Sequence, residues 1–130
     1  EGLAGQEGRA AIYAALRMGY RAIDTSEMNR NLADVSWSCW KAGLPRDEVF
    51  LIAKIAPWNH GYTRVRGSLA RQLQALRADY VDLLLLQWPH VWDPSQEDWD
   101  VQRGRQAKEW SHGQRLESWR ALQELYREGK

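Results

Sequence analysis

Two short, almost uninterrupted apolar runs constrain the fold of this chain more than any other feature. They read VFLIAKI at residues 49–55 and YVDLLLLQ at residues 80–87. Each is shorter than an average helix, is rich in aliphatic side chains and is bounded by turn-forming residues, which is typical of a strand buried on both faces. A stretch with helical spacing of apolar residues, 62–77, separates them. Strands joined in this way favour a parallel sheet built from right-handed βαβ units.

The remaining segments extend the same alternation. Residues 7–18, 31–42 and 114–128 show the apolar spacing of amphipathic helices, and residues 21–24 form a short strand-like step. The predicted order is αβαβαβα. It predicts an α/β fold with about three parallel strands and four helices.

The segment between the last predicted strand and the last predicted helix, residues 88–113, is polar, contains several tryptophans and lacks sustained periodicity. Long segments of this kind inside compact domains are usually functional or partly disordered. It is predicted to be a long loop or insertion. No repeat, low-complexity tract or composition shift divides the chain, so residues 1–130 are interpreted as one domain.

Composition excludes several classes of protein. The 18 Lys and Arg nearly balance the 17 Asp and Glu, for a net charge of +1, so there is no electrostatic case for binding nucleic acid or an anionic membrane. No run approaches the roughly 18 apolar residues of a membrane-spanning helix, and the N-terminus lacks the pattern of a secretory signal. The single cysteine, Cys39, excludes an internal disulfide. One thiol fits reducing or oxidising surroundings equally, so the sequence leaves the compartment open.

Three polar residues occur where the predicted strands end, namely Asp24, Lys54 and Gln87. Functional groups of parallel α/β folds cluster at the carboxyl ends of the strands. A lysine within an apolar run costs desolvation energy unless a carboxylate meets it, and Asp24 is the candidate partner of Lys54. The alternative is that Lys54 extends to solvent at the strand end and has no functional role.

Four segments resemble motifs of the aldo-keto reductases. Residues 19–31, GYRAIDTSEMNRN, resemble that family's G-Y-R-x-I-D-T-[AS]-x-x-Y-x-N segment. Residues 47–55, DEVFLIAKI, are similar to E-E-V-F-[IL]-x-[ST]-K-[LV], and residues 80–89, YVDLLLLQWP, to Y-[VI]-D-L-x-L-[IL]-H-W-P. Residues 119–130, WRALQELYREGK, fit W-x-A-L-x-x-L-Y-x-x-G-K. Each motif is weak by itself, but the four follow in the family's order over nearly the whole chain.

The resemblance implies a partial TIM (β/α)8 barrel, NADPH as hydride donor and the reduction of aldehydes or ketones. In the family, a tyrosine donates a proton to the carbonyl oxygen, its pKa lowered by a lysine that is paired with an aspartate, and a histidine orients the substrate. Asp24 and Lys54 match the aspartate and the lysine. Trp88 matches an aromatic residue that lines the substrate pocket, although simple packing at the barrel mouth would also account for it.

The other two catalytic positions depart from the family. Asn29 stands at the tyrosine position and Gln87 at the histidine position. An amide can donate a hydrogen bond but cannot deliver a proton at neutral pH, and general acid catalysis contributes roughly 10²–10⁴-fold in rate. The chain is therefore expected to be a catalytically inactive pseudoenzyme. The retained pair of Asp24 and Lys54 is the observation that favours the opposite hypothesis, an active enzyme.

The resemblance also covers only part of a barrel, which needs about 250 residues. It implies that the first strand, strands five to eight and the segments that hold the cofactor's phosphates have no counterpart here. NADPH is therefore expected to bind poorly to this chain alone. The open sheet edges would be covered by the missing barrel half or by a protein partner. Two hypotheses follow: a catalytic fragment with an altered site, or a non-catalytic structural or interaction subunit of a larger assembly.

Two tryptophans on the predicted helix 31–42, Trp37 and Trp40, are candidates for a protein contact. They lie off the apolar stripe of that helix and, at i and i+3, on one side of it. Exposed aromatic patches mark contact sites, where tryptophan is enriched. The alternative is that they pack against the missing part of the barrel.

The remaining chemically reactive side chains are interpreted as structural. Cys39 falls on the apolar stripe of its helix and is predicted to be a small core residue. The histidines are too widely spaced to predict a metal site; they are His60, His90 and His112.

Overall fold

The computed structural model describes residues 3–92 and 109–130. Within these residues, three parallel strands form one sheet in the order β1-β2-β3, accompanied by four helices. The predicted alternation is confirmed. In chain order the elements are α1 (Gly5–Arg17), β1 (Ala22–Asp24), α2 (Leu32–Ala42), β2 (Phe50–Ile55), α3 (Tyr62–Leu76), β3 (Leu83–Leu86) and α4 (Glu109–Arg127).

One face of the sheet packs against helices and forms the core. Side chains alternate along β2, so Leu51, Ala53 and Ile55 are buried on this face. They join buried aliphatic side chains from the helices and loops, among them Val35, Val49, Val65, Leu69, Leu76, Ala121 and Leu125. Each larger aliphatic side chain contributes about 1.5–3 kcal/mol when it is removed from water. This layer therefore supplies most of the hydrophobic stabilisation.

The opposite face of the sheet is open in the described part of the chain. Phe50 is 47% exposed, and Leu83 and Leu85 are each 39% exposed. The apolar runs predict strands buried on both faces, and for the described residues this expectation is wrong. The helices cover one face only, so the apolar side chains of the other face lack a second layer here.

Strand β3 begins at Leu83 and is shorter than the run 80–87 predicts, although Asp82 before it still bonds to β2, its backbone N–H donating to the Leu51 carbonyl at 3.0 Å. The Val81 N–H donates to the carbonyl of Lys130 (2.8 Å). The Asp82 carboxylate accepts the Leu51 N–H at 2.7 Å and an Arg46 guanidinium N–H at 2.6 Å. Burial raises the pKa of Asp82, but these donors outweigh it and hold the pKa below its usual 3.8. The paired register of β2 and β3 begins at Ile52 and Leu83.

Helix α4 begins at Glu109 rather than near residue 114, so the predicted loop 88–113 is wrong for its last residues. The helix instead runs through Gly113. A glycine inside a helix costs only about 1 kcal/mol, which a packed helix tolerates. Residues 93–108 of that predicted loop lie outside the described residues. No helix in the described part of the chain is long and apolar enough to cross a bilayer.

Candidate functional site

The carboxyl edge of the sheet brings together the three polar residues that the sequence analysis selects. Asp24 is the last residue of β1, Lys54 lies one residue before the end of β2, and Gln87 directly follows β3. In the parallel register, Asp24 stands opposite Ile52 and Lys54 stands opposite Leu85. All three positions therefore lie on the same rim of the sheet.

Lys54 and Asp24 form an ion pair on the open face. The ammonium Nζ lies 2.7 Å from Asp24 Oδ1 and 2.9 Å from Oδ2. The Lys54 side chain is 23% exposed, whereas that of Asp24 is 57% exposed. The lysine meets the carboxylate that the sequence analysis assigns to it, but the pair faces solvent rather than a dry interior.

Asn29 ends a short 3-10 turn, Glu27–Asn29, that follows β1. The turn begins at Ser26, whose hydroxyl accepts the Asn29 N–H at 3.2 Å. The Asn29 side chain is half-buried and makes no hydrogen bond within the described residues. The turn therefore fixes the backbone of Asn29, whereas its side-chain amide has no hydrogen-bond partner within the described residues.

Glu27 fixes this turn to the neighbouring loop, a role that the sequence analysis missed. Its Oε1 accepts the backbone N–H of Ala56 at 2.8 Å, the Asn59 side-chain amide at 2.9 Å and the Ser68 hydroxyl at 3.0 Å. Glu27 thereby joins the end of β1 to the end of β2 and to α3. Its partners lie roughly thirty to forty residues away in sequence, so no local pattern could have revealed them.

Gln87 continues the hydrogen-bond ladder beyond β3. Its backbone N–H donates to the Ile55 carbonyl at 3.0 Å. The side-chain Oε1 is buried and has no hydrogen-bond partner within the described residues. A buried acceptor without a donor costs free energy, so this oxygen is available to a donor from outside the described residues.

His60 holds the residue that follows Gln87 and is the second residue that sequence reasoning missed. It is 1% exposed. Its Nε2 lies 3.0 Å from the Trp88 carbonyl oxygen and its Nδ1 lies 3.1 Å from the Ser118 hydroxyl, which also accepts the Gly61 N–H. Burial lowers the pKa of the imidazole below 6.5. His60 is therefore a neutral bridge between α4 and the end of β3.

The tryptophans singled out from the sequence lie at separate places. Trp88 follows Gln87 at the carboxyl edge, is 40% exposed and has its ring 5.8 Å from that of His90. Trp37 and Trp40 are on α2, 36% and 73% exposed respectively. The structure therefore does not bring these two into the site at the carboxyl edge.

The other reactive side chains have structural surroundings. Cys39 is half-buried against the core, and burial raises the pKa of its thiol, which disfavours the nucleophilic thiolate. The described residues contain no group of three or more His, Cys, Asp or Glu arranged to hold a metal ion.

The chain matches the model of the aldo/keto reductase family over residues 2–130. It therefore belongs to this family, and its three strands and four helices are part of a (β/α)8 barrel. Over 126 residues it is 29% identical to the glyoxal reductase of Bacillus subtilis, a match that covers 97% of this chain and 38% of that enzyme.

Solved structures of the family superimpose on the same portion. The aldo/keto reductase of Brucella melitensis matches with a TM-score of 0.75 and 28% identity, covering 98% of this chain and 41% of the other. The Bombyx mori aldo-keto reductase, solved in complex with NADP, matches with a TM-score of 0.74 and 25% identity, over 94% of this chain and 37% of that one. The chain spans about two fifths of the length of these relatives.

Proposed function

We propose that this chain is an aldo-keto reductase barrel segment that has lost the family's carbonyl-reducing chemistry. The family activity is the NADPH-dependent reduction of aldehydes or ketones. The observation that carries the proposal is the side chain at position 29. The turn after β1 holds Asn29 where the family motif has tyrosine, and a carboxamide has no proton to give a carbonyl oxygen at neutral pH.

The ion pair at the carboxyl edge supports the same conclusion. In the family, the lysine tunes a tyrosine, so the Lys54 and Asp24 pair has no acid to act on when Asn29 stands there. Gln87 keeps an amide that can donate to a carbonyl oxygen and orient a substrate, but it cannot transfer a proton. The edge can therefore bind a polar group, whereas the rate contribution of a general acid, roughly 10²–10⁴-fold, is lost.

The residues present fit the NADPH cofactor only in part. Lys54 and Gln87 offer polar groups at the rim where the nicotinamide of a family member would react. The sequence contains no G-x-G-x-x-G or G-x-x-x-x-G-K phosphate loop, and the charge of Lys54 is neutralised by Asp24 at 2.7 Å. The cofactor's phosphates have no assigned site in this chain, so weak NADPH binding is part of the proposal.

A chimeric enzyme tests the chemistry apart from the rest of the barrel. This chain would replace the matching segment of the Bacillus subtilis glyoxal reductase, once unchanged and once with Asn29→Tyr and Gln87→His. We expect both chimeras to bind NADPH, and the substituted form to reduce glyoxal at least about 100-fold faster. Lys54→Met in the substituted form is the control, because removal of the lysine should again lower the rate.

Two results would contradict the proposal. Turnover of glyoxal by the unchanged chimera at the rate of the parent enzyme would show that Asn29 and Gln87 support catalysis. Failure of both chimeras to bind NADPH would show that the chain does not complete the barrel. In the 130-residue chain by itself, the same double substitution is expected to give no NADPH-dependent turnover.

The alternative is a non-catalytic structural or interaction subunit, and the open sheet face favours it. Exposed apolar side chains such as Phe50 and Leu85 need cover from the rest of a barrel or from a protein partner. Sedimentation of the isolated chain across a concentration series tests this. We expect self-association that Phe50→Ser weakens and that Tyr126→Ser, an exposed aromatic change on α4, leaves unaltered. A chain that stays monomeric at all concentrations would show that the open sheet face does not drive self-association.

A further inference from the structure

A groove of about 430 Å³ lies beside α2, between it and the end of α3. Its floor is apolar and includes the core residues Val49 and Leu51, and Trp37 and Trp40 stand in its wall. Its lining includes residues 44–46, between the end of α2 and the start of β2, and Arg77, directly after α3. The groove is therefore at the amino edge of the sheet, opposite the edge that carries the Asp24 and Lys54 pair.

The charge of the groove lining has one sign. Three arginines line it, and none of the lining residues is an aspartate or a glutamate. Arg9 and Arg46 already form ion pairs, with Asp34 and Asp82 respectively, each at 2.6 Å. Arg77 makes no ion pair within the described residues. A guanidinium beside an apolar floor, in a chain with a net charge of only +1, favours an anionic occupant.

The two tryptophans in the wall of the groove indicate the shape of the ligand. Trp40 is 73% exposed and makes no ring or cation contact within the described residues. The Arg9 guanidinium lies over the Trp37 ring, 5.5 Å from the ring centroid, in a cation–π contact. Aromatic side chains prefer flat partners in offset stacking or edge contact.

We propose that this groove binds a small planar aromatic anion, a ring system bearing a carboxylate or a sulfonate, which packs on Trp40 and pairs with Arg77. The groove is concave, and its volume lies within the roughly 300–1,000 Å³ of small-molecule sites. A protein interface would instead need about 800 Å² of surface on each partner. The geometry therefore favours a small molecule over the protein contact that the sequence predicts for Trp37 and Trp40. The proposal does not depend on the function proposed above.

Two probes that differ by a single charged group test the proposal in the chain as it exists. 8-Anilinonaphthalene-1-sulfonate carries the anion, and N-phenyl-1-naphthylamine is the same aromatic framework without it. We expect the sulfonate to bind more tightly, with an affinity that falls as salt is raised. Arg77→Asn should weaken the sulfonate about fivefold and leave the neutral probe within about twofold. Trp40→Ala should weaken both probes about fivefold or more.

The chain offers matched controls for each substitution. Arg30→Asn changes the other arginine with a backbone φ of 53°, away from the groove. Trp119→Ala removes another exposed tryptophan, on α4. Both controls should leave the affinity for each probe within about twofold. Far-UV circular dichroism and the thermal midpoint, which should be unchanged, separate loss of binding from loss of folding.

Three results would overturn the proposal. One is equal weakening by the control and the groove variants. Another is loss of sulfonate binding in Phe50→Ser but not in Trp40→Ala, which would place the probe on the open sheet face. The third is a change in self-association, measured by sedimentation, in Trp40→Ala without any change in probe affinity, which would make the groove a protein contact.

Discussion

The Nε2 atom of His60 lies 3.0 Å from the carbonyl oxygen of Trp88. A carbonyl can only accept, so Nε2 carries the proton and Nδ1 of the neutral ring is an acceptor. The single Ser118 hydroxyl proton lies within reach of both this nitrogen, at 3.1 Å, and the Gln114 carbonyl, at 2.8 Å. One buried ring thereby ties the residue after Gln87 to α4, across 28 residues on one side and 58 on the other.

Removing this ring is expected to destabilise the fold strongly. His60→Ala leaves a cavity and removes the buried hydrogen bonds that the ring makes with Trp88 and Ser118, and should lower the free energy of unfolding by about 2–4 kcal/mol. The measurement is urea unfolding followed by circular dichroism. His112→Ala, on an exposed residue, is the control and should stay within about 0.5 kcal/mol. Similar losses in the two variants would refute the assigned role.

The same residue is expected to make stability depend on pH. Burial lowers the folded-state pKa of His60 below 6.5 and outweighs the hydrogen bond to the Trp88 carbonyl, which raises the pKa, while the charges of Arg115 and His90 lower it further. The unfolded chain then binds the proton more readily, so the free energy of unfolding falls as pH falls through about 6.5, by at most about 1.4 kcal/mol per pH unit.

His60→Gln should flatten this dependence between about pH 6.5 and 5. Asp34 and Asp82, whose pKa values lie below 3.8, lose their contribution only at lower pH and provide an internal reference. Unfolding curves collected at a series of pH values measure both effects. An unchanged slope above pH 5 in the variant would show that His60 is not the titrating group.

The pair formed by Lys54 and Asp24 is expected to add little to stability. Because the Asp24 carboxylate is mostly exposed, solvent screens the interaction, and a double-mutant cycle with Lys54→Met and Asp24→Asn should give a coupling of about 0.2–1 kcal/mol. The exposed pair Arg66 and Glu128, at 2.9 Å, supplies a comparison cycle of similar size. A coupling of about 3–5 kcal/mol would instead be that of a buried pair.

Glu27 is expected to matter more for stability than its half-exposed position suggests. Glu27→Gln removes the negative charge that strengthens the bonds from the Ala56 N–H, the Asn59 amide and the Ser68 hydroxyl to Oε1. It also places an NH2 group at the Oε2 position, where it faces the Asn59 amide donor at 3.0 Å. The loss should be about 1–3 kcal/mol in thermal or urea unfolding. Glu7→Gln, at an exposed position of α1, is the matched control. A loss no larger than that of the control would show that the donors find other acceptors.

Local patterns predict the elements of this fold because each element is encoded within its own segment. The apolar run 49–55 and the helical stripe of 62–77 specify β2 and α3 without reference to other parts of the chain. Asp24 and Lys54 are also predictable, because the ends of parallel strands share one edge. By contrast, an apolar run does not show which of its faces a helix will cover, so the exposure of Phe50 could not be foreseen.

Long-range hydrogen bonds account for most of what the sequence could not reveal. His60 and Glu27 both act on partners far away in the chain, and neither stands in a recognisable local motif. Val81, just before β3, likewise bonds to a residue far away in the chain, Lys130.

The fold depends to different degrees on the polar side chains at the two ends of the sheet. At the amino end, the Arg46 guanidinium donates to the Asp82 carboxylate and to the Tyr80 carbonyl, so a change there disturbs folding directly. At the carboxyl end, the side chains of Asn29 and Gln87 make no hydrogen bond within the described residues. The fold therefore depends on the arginine, and not on a tyrosine or a histidine at positions 29 and 87. Changes at these two positions are expected to leave the barrel segment folded, so its shape and its chemistry depend on separate residues.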